Sequence, residues 1–238
     1  MKAIILAGGK GTRGKPYTEY FPKAMIPING KPLIDYVVKY LKSFNFIKEV
    51  IIISDYNGLG GQIKNYYGDQ KNIKFIQDSQ SGTGGDLLHI EKELKGETEF
   101  LLWFVDNLCA VDVKKMRDTF KEKNSFACIA TRTKRKEETG FAIVEDGIIT
   151  KFKEKPIMKL QLSECLGIYM LGKEIIQKIK KKKQKQVNLS FDILQQLSKE
   201  SKVSAFDIAE TGWIDVESPM ILERNKKLVT KIIKQMEQ

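Results

Sequence analysis

The sequence predicts an α/β fold: a mostly parallel mixed sheet with helices on both faces, plus a small antiparallel lobe. Two observations carry this expectation. Through the first 135 residues or so, short apolar runs of strand length alternate with amphipathic stretches of helical spacing, the pattern of a buried parallel sheet with crossover helices. Beyond that point the pattern turns to a hairpin before strand and helix resume.

Residues 3–7 (AIILA), 50–54 (VIIIS), 73–76 (IKFI), 100–105 (FLLWFV) and 126–132 (FACIATR) read as strands, most of them buried on both sides. Between them, residues 32–44 carry apolar side chains at helical spacing, with Pro32 in the first turn. Residues 60–68 and 82–94 read as two further crossover helices. Residues 141–155 form a hairpin turning at Asp146-Gly147, and 165–171 another strand. Helices are expected over 173–182 and 189–200. A last helix over 218–238 would have Ser218 as its cap, contributing about 1 kcal/mol, and Pro219 at its first position. No repeat or disordered linker interrupts the chain, so one domain over 1–238 is expected, with halves at about 1–135 and 136–238.

Composition narrows the chemistry. No apolar run approaches the roughly 18–20 residues of a membrane helix, and the N-terminal MKAIILAGG reads as a buried strand, not a leader. A cytoplasmic location and no membrane partner are therefore expected. The three cysteines, Cys109, Cys128 and Cys165, are widely spaced without a C-x-x-C pair, which supports small buried side chains and neither zinc nor disulfides. The single histidine, His89, lies in a helix pattern and makes His-based triads and zinc sites poor readings. Net charge is +11, yet the dense run at residues 180–185 has no interleaved aromatics for base stacking. It reads as a solvated helix end, with no nucleic-acid partner.

Glycines crowd the loop after the first strand. Gly9 to Gly14 spells G-x-G-x-x-G, and Gly9 to Lys15 spells most of a Walker A loop. Both patterns fail on physical grounds. A dinucleotide fingerprint opens directly into a helix whose N-terminus holds pyrophosphate, and Pro16 and Pro22 bar that helix. Pro16 also stands where Walker A needs a metal-binding hydroxyl. What remains is a loop of open backbone amides able to wrap anionic oxygens, flanked by Arg13, Lys15 and Lys23.

The stretch LAGGKGTRGKPYTEYFPKAMIPINGKPLIDY, residues 6–36, resembles the signature of the sugar-1-phosphate nucleotidylyltransferases, with Gly14 in place of the usual leucine. The likeness continues in order. Residues 77–85 (QDSQSGTGG) are similar to the base-binding segment Q-x-x-x-x-G-T-A-G, and Asp106 sits where the family ends a strand in Gly-Asp. Gly140, then Glu154-Lys155-Pro156, then Gly167 also have counterparts. Residues 213–219 (WIDVESP) stand for W-x-D-x-G-T-P.

That resemblance implies a Rossmann-like fold with a substrate lobe, and attack by a sugar phosphate oxygen on the α-phosphorus of a nucleoside triphosphate. The attacking oxygen is already ionised, so catalysis consists of fixed cations and amides that let two anions meet. Arg13 would hold the triphosphate and departing pyrophosphate, with Leu6, Gly8, Gly9, Gly11 and Thr12 around the nucleotide. Lys23 would face the α-phosphate. Gln77, Gly82 and Thr83 would read the base. Gly140, Glu154 and Lys155 would bind the sugar phosphate, and Asp106 and Asp215 would hold Mg²⁺, a cation that prefers oxygen ligands.

Gln77 and the Asp106-Asn107 pair lean toward dTTP or UTP with glucose 1-phosphate. Thr83-Gly84-Gly85 resembles guanylyl and cytidylyl relatives as well, leaving GTP with mannose 1-phosphate, or CTP with another phosphate acceptor, as alternatives. Val105, Cys165 and Glu217 depart from the family pattern, which motivates a second alternative, a non-catalytic nucleotide-binding regulatory paralogue. The chain would lack the C-terminal β-helix of some relatives, and a homo-oligomer is left open.

Overall fold

The computed structural model describes residues 1–9 and 11–238. In chain order the elements are β1 (Lys2–Leu6), three single-turn 3₁₀ helices (Thr12–Gly14, Tyr17–Glu19, Lys23–Met25), β2 (Pro27–Ile28), β3 (Lys31–Pro32), α1 (Leu33–Lys42), β4 (Glu49–Ser54), α2 (Gly61–Tyr67), β5 (Ile73–Gln77) and α3 (Gly82–His89). Then follow a 3₁₀ turn (Glu91–Leu94), β6 (Glu99–Phe104), β7 (Asn107–Cys109), α4 (Val113–Glu122), β8 (Ala127–Lys136), β9 (Phe141–Glu145), β10 (Ile148–Lys153) and β11 (Ile157–Gly172). The chain closes with α5 (Glu174–Lys180), a π-helical segment (Leu189–Leu194) running into α6 (Gln195–Lys199), β12 (Val203–Asp207), β13 (Trp213–Asp215), α7 (Pro219–Arg224) and α8 (Lys226–Met236).

Seven strands form one sheet in the order β12-β8-β11-β6-β1-β4-β5. β1, β4, β5 and β6 run parallel, β11 is antiparallel to both neighbours, and β12 is parallel to β8. Side chains alternate across β1: Ala3 and Ile5 join a core with α1, α2, α4 and α8, whereas Ile4 and Leu6 join a second core with α3, α5 and α6. Burial on both faces explains why these strands are continuously apolar. Leu6 is level with Ile53 on one side and Phe104 on the other, so the loops after β1, β4, β5 and β6 emerge together. That end of an open α/β sheet is where ligands bind.

The outer half of β8 and β11 extends from the sheet as an exposed arm carrying the β9–β10 hairpin. Its turn places both Asp146 (φ 49°) and Gly147 (φ 80°) in the left-handed region, matching the twist of a tight hairpin. Phe141, Ile143, Ile148 and Phe152 are exposed on it.

Four local expectations are corrected. The terminal helix is two helices, broken at Asn225 (φ −109°, ψ 24°), whose amide Nδ2 donates to the Ile221 carbonyl at 3.0 Å and so caps the first. Ser218 precedes Pro219 in extended geometry but makes no side-chain cap bond. Residues 189–200 open as a π-helical segment, with the Asn188 side chain accepting from Ser190 and Phe191 N–H groups. Cys165 is exposed, unlike buried Cys109 and Cys128. The edge strand β12 and the short pair β7–β13 lacked a strong sequence pattern: β12 is an only partly buried edge, and β7 and β13 have three residues each. No helix among the described residues is long and apolar enough to cross a membrane.

Candidate active site

The loop after β1 does not become an α-helix. Pro16 and Pro22 divide it into three single turns closed by short-range backbone hydrogen bonds, such as Gly14 N–H to Gly11 O at 2.8 Å. Gly11 adopts φ 54°, and a Cβ there would lie 2.8 Å from Thr18 Cγ2. Thr18 in turn donates its hydroxyl to Gly11 O at 2.7 Å. Glycine is thus required by close packing as well as by backbone sign. The loop is tied to the sheet through Ala7 N–H to Ile53 O (2.8 Å) and Ser54 Oγ to Ala7 O (3.1 Å).

Lys23 begins the third turn, which is anchored by the fully buried Ala24. Its ammonium reaches across to Asp106 Oδ2 at 2.9 Å. Asp106 follows β6, and its backbone carbonyl accepts from Val216 N–H at 2.7 Å. The β7–β13 pair sets Asn107 opposite Asp215, bringing two aspartates distant in sequence to one place. Burial, with the Asp106 charge second, pushes the Asp215 carboxyl up to about 6, opposed by Lys23 and Arg13. Among the described residues, Asp215 Oδ1 is buried without a hydrogen-bond partner. An orphaned carboxylate oxygen beside a second carboxylate suits a divalent cation with oxygen ligands. Arg13, on the first turn, forms an ion pair with Glu217.

Asn107, which the sequence offers only as part of the Asp106-Asn107 lean toward a pyrimidine, is the structural hub. Its Oδ1 accepts from Trp213 Nε1 (2.8 Å) and Gly167 N–H (3.2 Å), and its Nδ2 donates to Asp106 Oδ1 (3.0 Å). A Cβ on Gly167 would fall 2.3 Å from that Nδ2. Arg132 stacks over the Trp213 ring at 4.4 Å and pairs with Glu164. No residue pattern in the sequence distinguishes Asn107 from any other asparagine after an aspartate.

The remaining predicted residues form two further groups. Gln77 ends β5 with both ends of its amide engaged: Nε2 donates to Asp55 at 2.9 Å and Oε1 accepts from Tyr56 N–H at 2.9 Å. Gly82 has φ 81°, and a Cβ on it would lie 2.7 Å from Val187 O. Thr83 Oγ1 accepts from Leu189 N–H at 2.9 Å. Asp78, not singled out from sequence, presses its carboxylate against Gly8, leaving no room for a Cβ there. At the base of the hairpin, Gly140 packs on the Phe152 ring and beside Glu154, while Lys155 (φ 45°) donates its N–H to Thr139 O at 3.2 Å. Among the described residues no hydrogen bond or ion pair joins this group to Lys23 or Asp106. A separate surface cleft lined by Glu91, Leu94, Thr98 and Glu174 lies at the opposite, N-terminal end of β6, away from these groups.

Comparison with known proteins shows the family. A family model described as nucleotidyl transferase matches residues 2–231. The chain is 31% identical over 237 residues to the bifunctional protein GlmU of Methanocaldococcus jannaschii, covering 98% of this chain and 55% of that one. It is 35% identical over 181 residues to D-glycero-alpha-D-manno-heptose 1-phosphate guanylyltransferase of Campylobacter jejuni, covering 74% of this chain and 77% of the relative. The chain spans about half the length of several curated relatives it matches. The crystal structure of a putative glucose-1-phosphate thymidylyltransferase from Bacillus anthracis superposes with a TM-score of 0.76 at 23% identity, covering 96% of this chain and 95% of that one; this likeness concerns the fold. From the glycine loop after β1 to the last helix, the chain belongs to the nucleotidyl transferase family.

Proposed function

We propose that this chain transfers a nucleotidyl group from a nucleoside triphosphate to a sugar 1-phosphate and releases pyrophosphate. The observation that carries the reading is the meeting of Lys23, Asp106, Asp215 and Arg13 at the carboxyl end of β1 and β6. A hydrolase acting through a nucleophile would need an activated side chain, whereas this cluster offers fixed charge.

In this reading Lys23 moves its ammonium from Asp106 to the α-phosphate and the attacking oxygen. Arg13 and the amides of Gly8, Gly9 and Gly11 hold the outer phosphates, with Leu6 and Thr12 bounding the nucleotide. Asp106 and Asp215 would hold Mg²⁺, which when bound supplies charge neutralisation on the phosphate oxygens. Gly140, Glu154 and Lys155 receive the sugar phosphate from the exposed arm, and one domain with a nucleotide half and an acceptor half follows.

For the base, dTTP or UTP with glucose 1-phosphate is the first reading, in which Gln77 exchanges Asp55 and Tyr56 for a pyrimidine edge. Guanylyl transfer to mannose 1-phosphate is the second reading, since Thr83-Gly84-Gly85 resembles guanylyl and cytidylyl relatives. The guanylyltransferase name of the 35% relative points the same way.

Pyrophosphate release across the four ribonucleotides and dTTP, each with glucose and mannose 1-phosphates and phosphocholine, tests the proposal. Release with one pair is the expected result. Binding without release from any pair would favour the regulatory paralogue.

A further inference from the structure

We infer that Glu217 is a positioning residue that pairs with Arg13 and competes with the nucleotide's phosphates for it. The inference rests on the reading above, because it concerns the guanidinium assigned there to the outer phosphates. Two segments far apart in the chain meet at this point. Arg13 lies on the single turn Thr12–Gly14, whose curvature is held by the Gly14 N–H bond to Gly11 O and by Thr18. Glu217 follows Asp215 by two residues, and its own N–H donates to Asp215 O at 3.0 Å. The guanidinium and the Glu217 carboxylate form an ion pair.

Backbone packing makes the meeting obligatory. A Cβ added to Gly14 would lie 3.1 Å from the Glu217 carbonyl oxygen and 2.7 Å from Thr18 Cγ2. A bulky side chain at residue 14 would therefore push the two segments apart and Glu217 away from Arg13. Both positions are ones where the sequence departs from the family pattern, and the fold sets them against each other.

The charge balance gives the pair its consequence. Lys23 is paired with Asp106 and Arg13 with Glu217, so each cation has a carboxylate that an incoming anion must displace. The Arg13 side chain is 65% exposed and that of Glu217 29%. A pair so open to solvent is weak and yields to a polyphosphate, which presents several charges at once. Glu217 then takes Arg13 back as pyrophosphate leaves. The carboxylate lowers affinity for phosphates and assists their departure.

Binding of magnesium pyrophosphate, measured by titration calorimetry, tests this independently of base and sugar. Glu217→Gln should bind pyrophosphate about two- to fivefold more tightly than the native chain, the range of one exposed ion pair. That gain should vanish in an Arg13→Gln background. In turnover, Glu217→Gln should lower KM for the triphosphate without raising kcat, and Glu217→Asp should restore the native KM. Unchanged affinity in Glu217→Gln, or an equal gain without Arg13, would overturn the inference. If the native chain and Glu217→Gln bind no pyrophosphate, the inference and the reading beneath it both fall. If pyrophosphate binds as expected but no substrate pair is turned over, the exchange stands and the transfer reading fails.

Discussion

Lys23 and Asp106 are 83 residues apart in sequence, yet the ammonium lies 2.9 Å from Oδ2. The two side chains are only 15% and 23% exposed, so this pair is shielded more than an ordinary surface bridge. It joins the turn that follows Pro22 to the end of β6, and in the proposed reaction a phosphate would replace the carboxylate.

Removing Lys23 should therefore affect chemistry more than folding. Lys23→Ala is expected to lower kcat by about 10²–10³, the loss typical of one preorganised electrostatic group. A thermal melt should show a modest fall in Tm, because Asp106 loses its shielded partner. Pyrophosphate release within tenfold of the native rate would take Lys23 out of the reaction.

Asp215 should make stability depend on pH. Its folded pKa of about 6 exceeds the usual carboxylate value, so the native state holds its proton more tightly than the unfolded chain. Stability attributable to this group is therefore present below about pH 4 and lost as pH rises through 6. Asp106, Lys23, Arg13 and Glu164 are the charges acting on it. Asp215→Asn should raise Tm at pH 7–8 and leave it unchanged near pH 4. Magnesium should raise the native Tm at pH 7.5 and fail to raise that of the variant. Equal magnesium effects in both proteins would separate Asp215 from the metal.

Asn107 should matter to the fold as well as to the site. Asn107→Ala leaves Trp213 Nε1 and Gly167 N–H without their acceptor. Denaturant unfolding should show a loss of about 1–2 kcal/mol, the cost of leaving partly buried donors unpaired. Because Asn107 also holds Asp106 Oδ1, magnesium affinity should weaken in the same variant.

Gly82→Ala tests the loop at the start of α3. Its φ of 81° and the 2.7 Å approach to Val187 O make alanine unfavourable by roughly 1–2 kcal/mol from the left-handed backbone alone. The expected outcome is lower stability with a raised KM for the triphosphate. An unchanged KM would place the base elsewhere than beside this loop.

Much of this molecule was legible in one dimension. The period of apolar residues in AIILA, VIIIS and FLLWFV specified buried strands, because burial on both faces leaves no room for polar side chains. Pro16 and Pro22 excluded a helix behind the glycine loop, since each removes a donor and restricts φ. Asp146-Gly147 specified its hairpin because both residues tolerate the positive φ that a tight turn requires. These signals are carried by residues within a turn or two of one another.

The tertiary structure alone decided which distant groups meet. Nothing local in the sequence pairs Arg13 with Glu217, makes Asn107 the hub between Trp213 and Gly167, or sets Asp78 against Gly8. The break at Asn225 was equally hidden, because a side-chain bond to a backbone carbonyl leaves the apolar period intact. Propensity and periodicity act along the chain, whereas ion pairing and desolvation act through space, and only the folded sheet turns the one into the other.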